Sequence, residues 1–94
     1  MKMMFRLELI KEAKEGILLY QKAGDTKSLK KLYTLLEELR MQPETGKGEP
    51  KRLKHLTGNK WSRKINKKHR LIYEIFDDTV MVLVLKTRDH YYDK

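Results

Sequence analysis

The sequence predicts an α+β fold in which a two-helix hairpin packs on one face of a mostly antiparallel, twisted sheet. Two observations lead to this prediction. The first half of the chain repeats apolar residues at helical spacing, whereas three β-rich runs follow from residue 60 onward. Helical and strand-forming segments that are segregated along a chain are typical of this class. A chain of 94 residues has room for one modest core, so residues 1–94 are expected to form a single domain.

The two helices are predicted from their apolar stripes. The first stripe consists of Ile10, Ala13, Ile17 and Tyr20. The second is the cleanest periodicity in the chain and consists of Leu29, Leu32, Tyr33, Leu36 and Leu39. Gly24 offers a stop between the helices, and Asp25 or Thr26 can cap the second one. Because this turn is short, the helices should form an antiparallel hairpin.

The strands are predicted from apolar and β-branched runs. A short edge strand is expected within residues 3–9, and three further strands at 60–66, 70–76 and 79–86. Asp77-Asp78 is so short a connection that the last two strands should form a hairpin, and residues 66–69 make the other turn. Lys67 and Lys68 in that turn are interpreted as a solvated tip. Residues 45–58 are predicted to be an exposed loop with short extended pieces.

Alternation along the first of these three strands separates its side chains into two faces. Trp61, Arg63 and Ile65 share one face, and the Trp/Ile pair assigns that face to the core. Lys64 then projects from the opposite face, which the helices leave free. We therefore expect a ligand to bind on the Lys64 side of the sheet.

The composition excludes several classes of protein. The net charge of +9 favours nucleic acid, the ribosome or an acidic protein as partner. The absence of cysteine excludes disulfides and thiolate zinc sites, and three isolated histidines without ligand spacing argue against any other metal site. The longest apolar run, residues 80–85, is too short to span a bilayer, and the first ten residues lack the apolar centre of a signal peptide. A cytoplasmic protein without membrane contact is expected.

The basic charge concentrates between Lys47 and Arg70. This stretch contains ten Lys or Arg residues and one acid, Glu49, interrupted by glycine, proline and tryptophan. Such a density of positive charge suits a concave surface that holds a polyanion. The candidates for RNA or phosphate binding are Lys47, Lys54, Arg63 and Lys64.

RNA cleavage without a metal is chemically possible for this chain. It requires a base to take the proton of a ribose 2′-hydroxyl, cations to stabilise the phosphorane, and an acid for the leaving 5′-oxygen. The sequence has no Asp/Glu cluster that could hold two metal ions. Its C-terminal Arg88-Asp89-His90-Tyr91-Tyr92 supplies possible proton carriers in addition to the cations.

Four motifs in order resemble one protein family. They are Gly46-Lys47-Gly48-x-Pro50-x-x-Leu53-Lys54, Trp61-Ser62-Arg63-Lys64-Ile65, His69-Arg70-Leu71-Ile72-Tyr73 and Arg88-x-His90-Tyr91. Together they resemble the YoeB/Txe branch of the RelE toxin superfamily, from about residue 43 to residue 91. The resemblance implies a compact RelE-like, microbial-ribonuclease-like α+β domain without cofactor. It also implies a ribosome-dependent messenger-RNA endoribonuclease that a cognate antitoxin, YefM-like or similar and acidic, neutralises.

The resemblance assigns roles by position. Arg70 matches the arginine that stabilises the transition-state phosphate. His90 matches the general acid, and Tyr91 the C-terminal catalytic tyrosine. Lys54 matches a lysine of the phosphate-binding surface, and Lys64 falls where the family has a second basic residue.

One position departs from the family. The YoeB branch has its general-base glutamate directly after the motif proline, where this chain has Lys51, whereas Glu49 precedes Pro50. Residues before proline favour extended backbone, so Glu49 and Lys51 are expected to point to the same side. Three hypotheses stay open: Glu49 supplies the carboxylate from a shifted position, Lys51 acts as the base, or the protein binds RNA and cuts it poorly.

The leading hypothesis is therefore a toxin that enters the ribosomal decoding site and cleaves messenger RNA. The alternative is a non-catalytic or weakened toxin that blocks translation without cleavage, and Lys51 supports it. Inhibition of DNA gyrase, as in a related branch, ranks third because the proton carriers His90 and Tyr91 would then have no purpose. The expected partners are the antitoxin, the ribosome and its message. Homodimerisation is possible from the resemblance, although no apolar patch in the sequence indicates it.

Overall fold

The computed structural model describes residues 4–87, with side chains to residue 83. It has the predicted α+β architecture, with two helices packed on one face of a five-stranded sheet. The elements in chain order are β1 (Arg6–Leu9), α1 (Lys11–Ala23), α2 (Thr26–Leu39), β2 (Lys51–Arg52), β3 (Lys60–Lys64), β4 (His69–Ile75) and β5 (Thr79–Thr87). Each predicted helix and strand is present, and β2 is one of the short extended pieces expected in the basic loop.

The sheet has the strand order β1-β5-β4-β3-β2. The β2–β3, β3–β4 and β4–β5 pairs are antiparallel, and β1 joins the edge of the sheet parallel to β5. The predictions of an edge strand at the N-terminus and of a hairpin across Asp77-Asp78 are confirmed. Parallel pairing of β1 with β5 is sterically possible because two helices and three strands separate them along the chain, which leaves ample length for a crossover.

The turn between the helices forms as the sequence predicts. Gly24 ends α1 with a φ of 70°, and its N–H donates to the carbonyls of Tyr20 and Gln21. Asp25 caps α2, since its carboxylate accepts a hydrogen bond of 3.1 Å from the backbone N–H of Ser28. A left-handed glycine followed at once by a capping carboxylate makes the connection tight enough to hold the helices antiparallel.

The core lies between the helices and one face of the sheet. Its buried members are Ala13, Tyr20, Leu32, Leu35, Leu36, Leu39, Ile65, Leu71, Tyr73, Val80 and Val82. The prediction that Tyr33 belongs to the buried stripe of α2 is wrong. Tyr33 is 47% exposed, and Leu35 is buried instead. Leu35 lies three residues from Leu32 and four from Leu39, so it continues their stripe, whereas Tyr33 follows Leu32 directly and is turned by about 100° from it.

The core predicts a clear difference between two leucines. Changing Leu35 to alanine should lower the free energy of unfolding by about 2–5 kcal/mol, because it opens a cavity under α2. The control is Leu19→Ala in α1, where the side chain is 66% exposed and the loss should stay below about 0.5 kcal/mol. Urea unfolding followed by circular dichroism measures both changes. Equal losses would show that α2 does not provide the main contact with the sheet.

Candidate functional site

A buried arginine on the core face of β3 holds the basic loop in place. Arg63 is fully buried, and each of the five N–H groups of its guanidinium has an acceptor. Nε donates to the Tyr73 hydroxyl at 3.1 Å, Nη1 to Glu38 Oε1 at 2.6 Å and to the Lys47 carbonyl at 3.2 Å, and Nη2 to the carbonyls of Gln42 and Thr45, both at 2.6 Å. The acceptors come from α2, from β4 and from the segment that follows α2. One side chain therefore fixes the entry to the basic loop.

The assignment of Arg63 to the RNA-binding surface is wrong. Its side chain has no exposed surface, and all of its donors are occupied within the protein. Strand alternation contained the correct signal, since it puts Arg63 on the core face with Trp61 and Ile65. The density of basic charge alone had suggested that Arg63 belongs to the RNA-binding surface. A planar guanidinium suits the buried position because its donors spread in a fixed fork that several carbonyls can meet.

Two further residues complete this cluster, and the sequence did not single out either role. The Tyr73 hydroxyl donates to the Pro43 carbonyl at 2.7 Å and accepts from Arg63. Burial raises the pKa of Tyr73 above its ordinary value and outweighs the opposing effect of Arg63, so the hydroxyl keeps its proton. Burial would also raise the pKa of Glu38, but hydrogen bonds from the Lys47 N–H and from Arg63 lower it overall.

The glycines of the loop let it pass close to β3. Gly48 has a φ of 83°, and a Cβ there would lie 3.0 Å from the Lys64 carbonyl oxygen and 3.1 Å from a Leu35 methyl. The Gly48 carbonyl accepts a 2.6 Å hydrogen bond from the Lys64 N–H. Only glycine meets both requirements without strain. This contact brings residues 49–51 to the edge of the sheet beside β3.

Glu49 adopts an unexpected backbone conformation. Its φ is 54°, and no other non-glycine residue has a positive φ in the part of the chain that the structure describes. The expectation of extended backbone before Pro50 is therefore wrong. The chain bends here because Gly48 is held by Lys64 while Lys51 already begins β2. The Glu49 carboxylate lies 3.4 Å from the Lys64 ammonium, which puts it on the outer face of the sheet.

Cations gather on this outer face, opposite the helices. Lys64 of β3 and Arg70 of β4 are cross-strand partners, and Lys51 of β2 is paired with Ser62 of β3. Because paired residues share a face, all four belong to the same side of the sheet. Lys64, Arg70 and Lys51 thus line one surface, next to the Glu49 carboxylate.

Ser62 accepts a hydrogen bond from Arg70, but another donor of the Arg70 guanidinium lacks a partner among the described residues. Its Nη1 donates to the Ser62 hydroxyl at 3.2 Å, and Ser62 is itself 1% exposed. Arg70 Nε is buried, and it has no hydrogen-bond partner in the described part of the chain. An unpaired donor on a guanidinium is unfavourable in the free protein. A phosphate oxygen would satisfy it.

The remaining predicted residues fall into two groups. Lys47 and Lys54 are exposed, one in the loop before β2 and one in the turn after it. His90 and Tyr91 lie outside the described residues. The structure thus brings Glu49, Lys51, Lys64 and Arg70 to one face, and the sequence motif had not revealed the supporting role of Ser62. The sequence feature that could have indicated this role is a small polar residue, Ser62, within a predicted strand.

Among residues 4–87 no group of three His, Cys, Asp or Glu side chains could hold a metal ion. Neither helix of this described segment has the length and apolar content needed to cross a bilayer.

Comparison with known proteins identifies the family. The model of the YoeB-like toxin of bacterial type II toxin–antitoxin systems matches residues 10–91. The chain belongs to the YoeB-like toxin family. It is 40% identical to Toxin YoeB of Escherichia coli K12 over 73 residues, which are 78% of this chain and 84% of that protein. The resemblance seen in the sequence is confirmed.

Solved structures agree with this membership. The YoeB dimer from Staphylococcus aureus superimposes with a TM-score of 0.75 at 33% identity, covering 87% of this chain and 94% of that one. The YoeB-YefM complex from Staphylococcus aureus gives a TM-score of 0.69 at 28% identity with the same coverage. The YoeB-like chain described here therefore has the fold of a toxin that has been solved both as a dimer and with YefM.

The Arg63 cluster makes stability depend on pH through Glu38. Because folding lowers the pKa of Glu38 below its ordinary value of 4.5, the unfolded chain binds more protons in acid. The stabilisation is complete above that ordinary value and is lost as the pH falls through the lower folded value. Glu38→Gln should cost about 2 kcal/mol at pH 7, and its difference from the unmodified protein should shrink below about pH 4.

The control for this prediction is Glu37→Gln. Glu37 is the neighbouring residue of the same helix, its side chain is exposed, and its contact with Arg40 is at 4.0 Å. Its replacement should change the unfolding free energy by less than about 0.5 kcal/mol at either pH. Urea unfolding between pH 3 and pH 7 measures both variants. A constant difference between Glu38→Gln and the unmodified protein across this range would contradict the role of the Glu38 charge.

Proposed function

We propose that this chain is a ribosome-dependent endoribonuclease that cleaves messenger RNA in the decoding site and so inhibits translation. Cleavage proceeds without a metal ion, by attack of a ribose 2′-hydroxyl on the adjacent phosphate. The observation that carries the proposal is the buried Nε of Arg70, which has no hydrogen-bond partner among the described residues and lies beside Lys64 on the outer face of the sheet, in a chain of the YoeB-like family. The products are a 2′,3′-cyclic phosphate and a 5′-hydroxyl.

Arg70 and Lys64 stabilise the charge that develops on the phosphorane. Ser62 holds one end of the Arg70 guanidinium, so the Nε side is oriented before the phosphate arrives. Preorganised donors of this kind are effective because they need no reorganisation during the reaction. Lys64 adds a second positive charge from the neighbouring strand, on the same face.

Glu49 is the base that the geometry favours. Its carboxylate is 3.4 Å from Lys64, which is the cross-strand partner of Arg70, and a positioned carboxylate can act as a general base. Lys51 lies on the same face, opposite Ser62, and remains the alternative. The acid and the second proton carrier are His90 and Tyr91, which are assigned by their position in the family motif.

The ribosome and an antitoxin are the proposed partners. The ribosome supplies the geometry of the substrate, which compensates for the small number of catalytic groups in a short chain. An acidic antitoxin segment, analogous to the YefM of the Staphylococcus aureus complex, covers the basic outer face and keeps the toxin inactive. The dimer of the Staphylococcus aureus protein makes a homodimer the proposed free form.

A cleavage assay with programmed ribosomes and end-labelled message tests the reaction. The unmodified protein should cut within the decoding-site codon, and Arg70→Lys should lower the single-turnover rate by about 10²–10³, because lysine cannot reproduce the oriented Nε donor. Arg40→Lys, at the exposed end of α2, is the matched control and should leave the rate unchanged. Stalled ribosomes with intact message in the unmodified protein would favour the binder that blocks translation without cleavage.

The same assay identifies the base. Glu49→Gln should lower the cleavage rate by about 10²–10⁴ because the proton acceptor is lost, whereas Lys51→Ala should lower it less than about tenfold. Binding of each variant to message-loaded ribosomes, measured in parallel, separates the chemical step from affinity. A larger loss of cleavage rate in Lys51→Ala than in Glu49→Gln would assign the proton transfer to Lys51.

A further inference from the structure

A second basic cleft lies on the other side of the β3–β4 turn from the candidate site. It has a volume of about 620 Å³ and opens between the start of α2 and residues 65–69. Four lysines line it: Lys27 and Lys31 from α2, and Lys67 and Lys68 from the turn. The turn that carries two of these lysines also connects Lys64 to Arg70, so the cleft and the candidate site are adjacent.

The walls of the cleft are fixed by a polar network. Asn66 donates from its amide to the Ser28 hydroxyl at 2.7 Å, which ties the turn to α2. The Asn66 side-chain oxygen, Oδ1, accepts from the backbone N–H groups of Lys68 and His69, at 2.9 and 2.8 Å. The His69 ring in turn makes a 2.7 Å hydrogen bond with the Tyr20 hydroxyl of α1. The two lysines of the turn are exposed, as a solvated tip predicts, and they project from a backbone that these hydrogen bonds hold in place.

The charges in the cleft are unbalanced within the protein. None of the four lysines has an ion-pair partner among the residues that the structure describes. Lys27 and Lys31 are four residues apart on one helix, where like charges destabilise the helix. The carboxylate in the cleft belongs to Asp25 and is engaged in capping α2 through Ser28. An anionic ligand would remove this repulsion.

We propose that the cleft binds the sugar–phosphate backbone of RNA and extends the RNA-binding surface past the β3–β4 turn. Lysines bind phosphates as mobile point charges, which suits backbone contacts without base specificity. An acidic protein segment fits less well, because Ile65, the one apolar side chain among the described residues that line the cleft, is only 3% exposed and offers no anchor. The inference rests on the proposed action on RNA. The RNA is either the message or ribosomal RNA.

A charge-matched pair of variants tests the cleft. The cleft variant changes the four cleft lysines to glutamine: Lys27, Lys31, Lys67 and Lys68. The control variant changes four exposed helix lysines that do not line the cleft: Lys11, Lys14, Lys22 and Lys30. Both variants lose four charges, so long-range attraction falls equally. Because Lys31 is half-buried, Lys67→Gln with Lys68→Gln is compared with Lys14→Gln with Lys22→Gln as a second pair. Thermal unfolding confirms that all four proteins fold.

The measurement is the salt dependence of binding, which does not require cleavage. The dissociation constants for a single-stranded RNA oligonucleotide and for message-free ribosomes are measured between 50 and 200 mM salt. The four-lysine cleft variant should reduce the slope of log K against log salt by about 0.7 per lysine, or nearly 3 in total, for the ligand that the cleft holds. The control variant should keep its slope. A smaller slope with the oligonucleotide would identify messenger RNA as the ligand of the cleft. A smaller slope with ribosomes alone would identify ribosomal RNA.

Two results would overturn the proposal. One is an equal change of slope in the cleft and control variants, which would mean that only the total charge matters. The other is unchanged binding of both RNAs together with weaker binding of an acidic antitoxin peptide, which would assign the cleft to a protein partner. If the unmodified protein leaves message uncut while the cleft variants lose RNA affinity, the proposed nuclease activity fails and the cleft proposal stands.

Discussion

The structure depends most on the buried contact between Arg63 and Glu38. This contact joins the sheet to the C-terminal end of α2, and the remaining donors of the guanidinium bind carbonyls of the segment that follows the helix. A buried charge is tolerated only when its donors are satisfied, so the loop must keep the course that presents those carbonyls. The position of the loop residues on the cationic outer face therefore depends on contacts that are made on the opposite side of the sheet.

The two faces of β3 have different surroundings. On the inner face Arg63 is surrounded by core residues, and on the outer face its neighbours Ser62 and Lys64 orient Arg70 and Glu49. Residues two apart on a strand share a face, whereas adjacent ones do not. A short strand thus connects the packing of the core directly to the position of the candidate catalytic groups.

Local signals in the sequence predicted most of the fold. The Gly24-Asp25 turn and the β4–β5 hairpin were predictable because their backbone requirements are met by residues within a few positions. The exposure of Tyr33 and the left-handed backbone of Glu49 were not, since they depend on how α2 meets the sheet and on how Gly48 is held by Lys64. The density of basic charge placed Arg63 among the RNA-binding candidates, because a count of charges records residue type and not the direction of a side chain.

The contrast between Arg63 and the residues around Pro50 has an evolutionary consequence. Arg63 donates to both Glu38 and Tyr73, so replacing either acceptor with an apolar residue removes a hydrogen bond from a buried guanidinium. Glu49 and Lys51 are exposed at the edge of the sheet and share no such constraint. Single substitutions at these two positions therefore leave no buried group unpaired. The residues around Pro50 can change one at a time while the scaffold stays fixed.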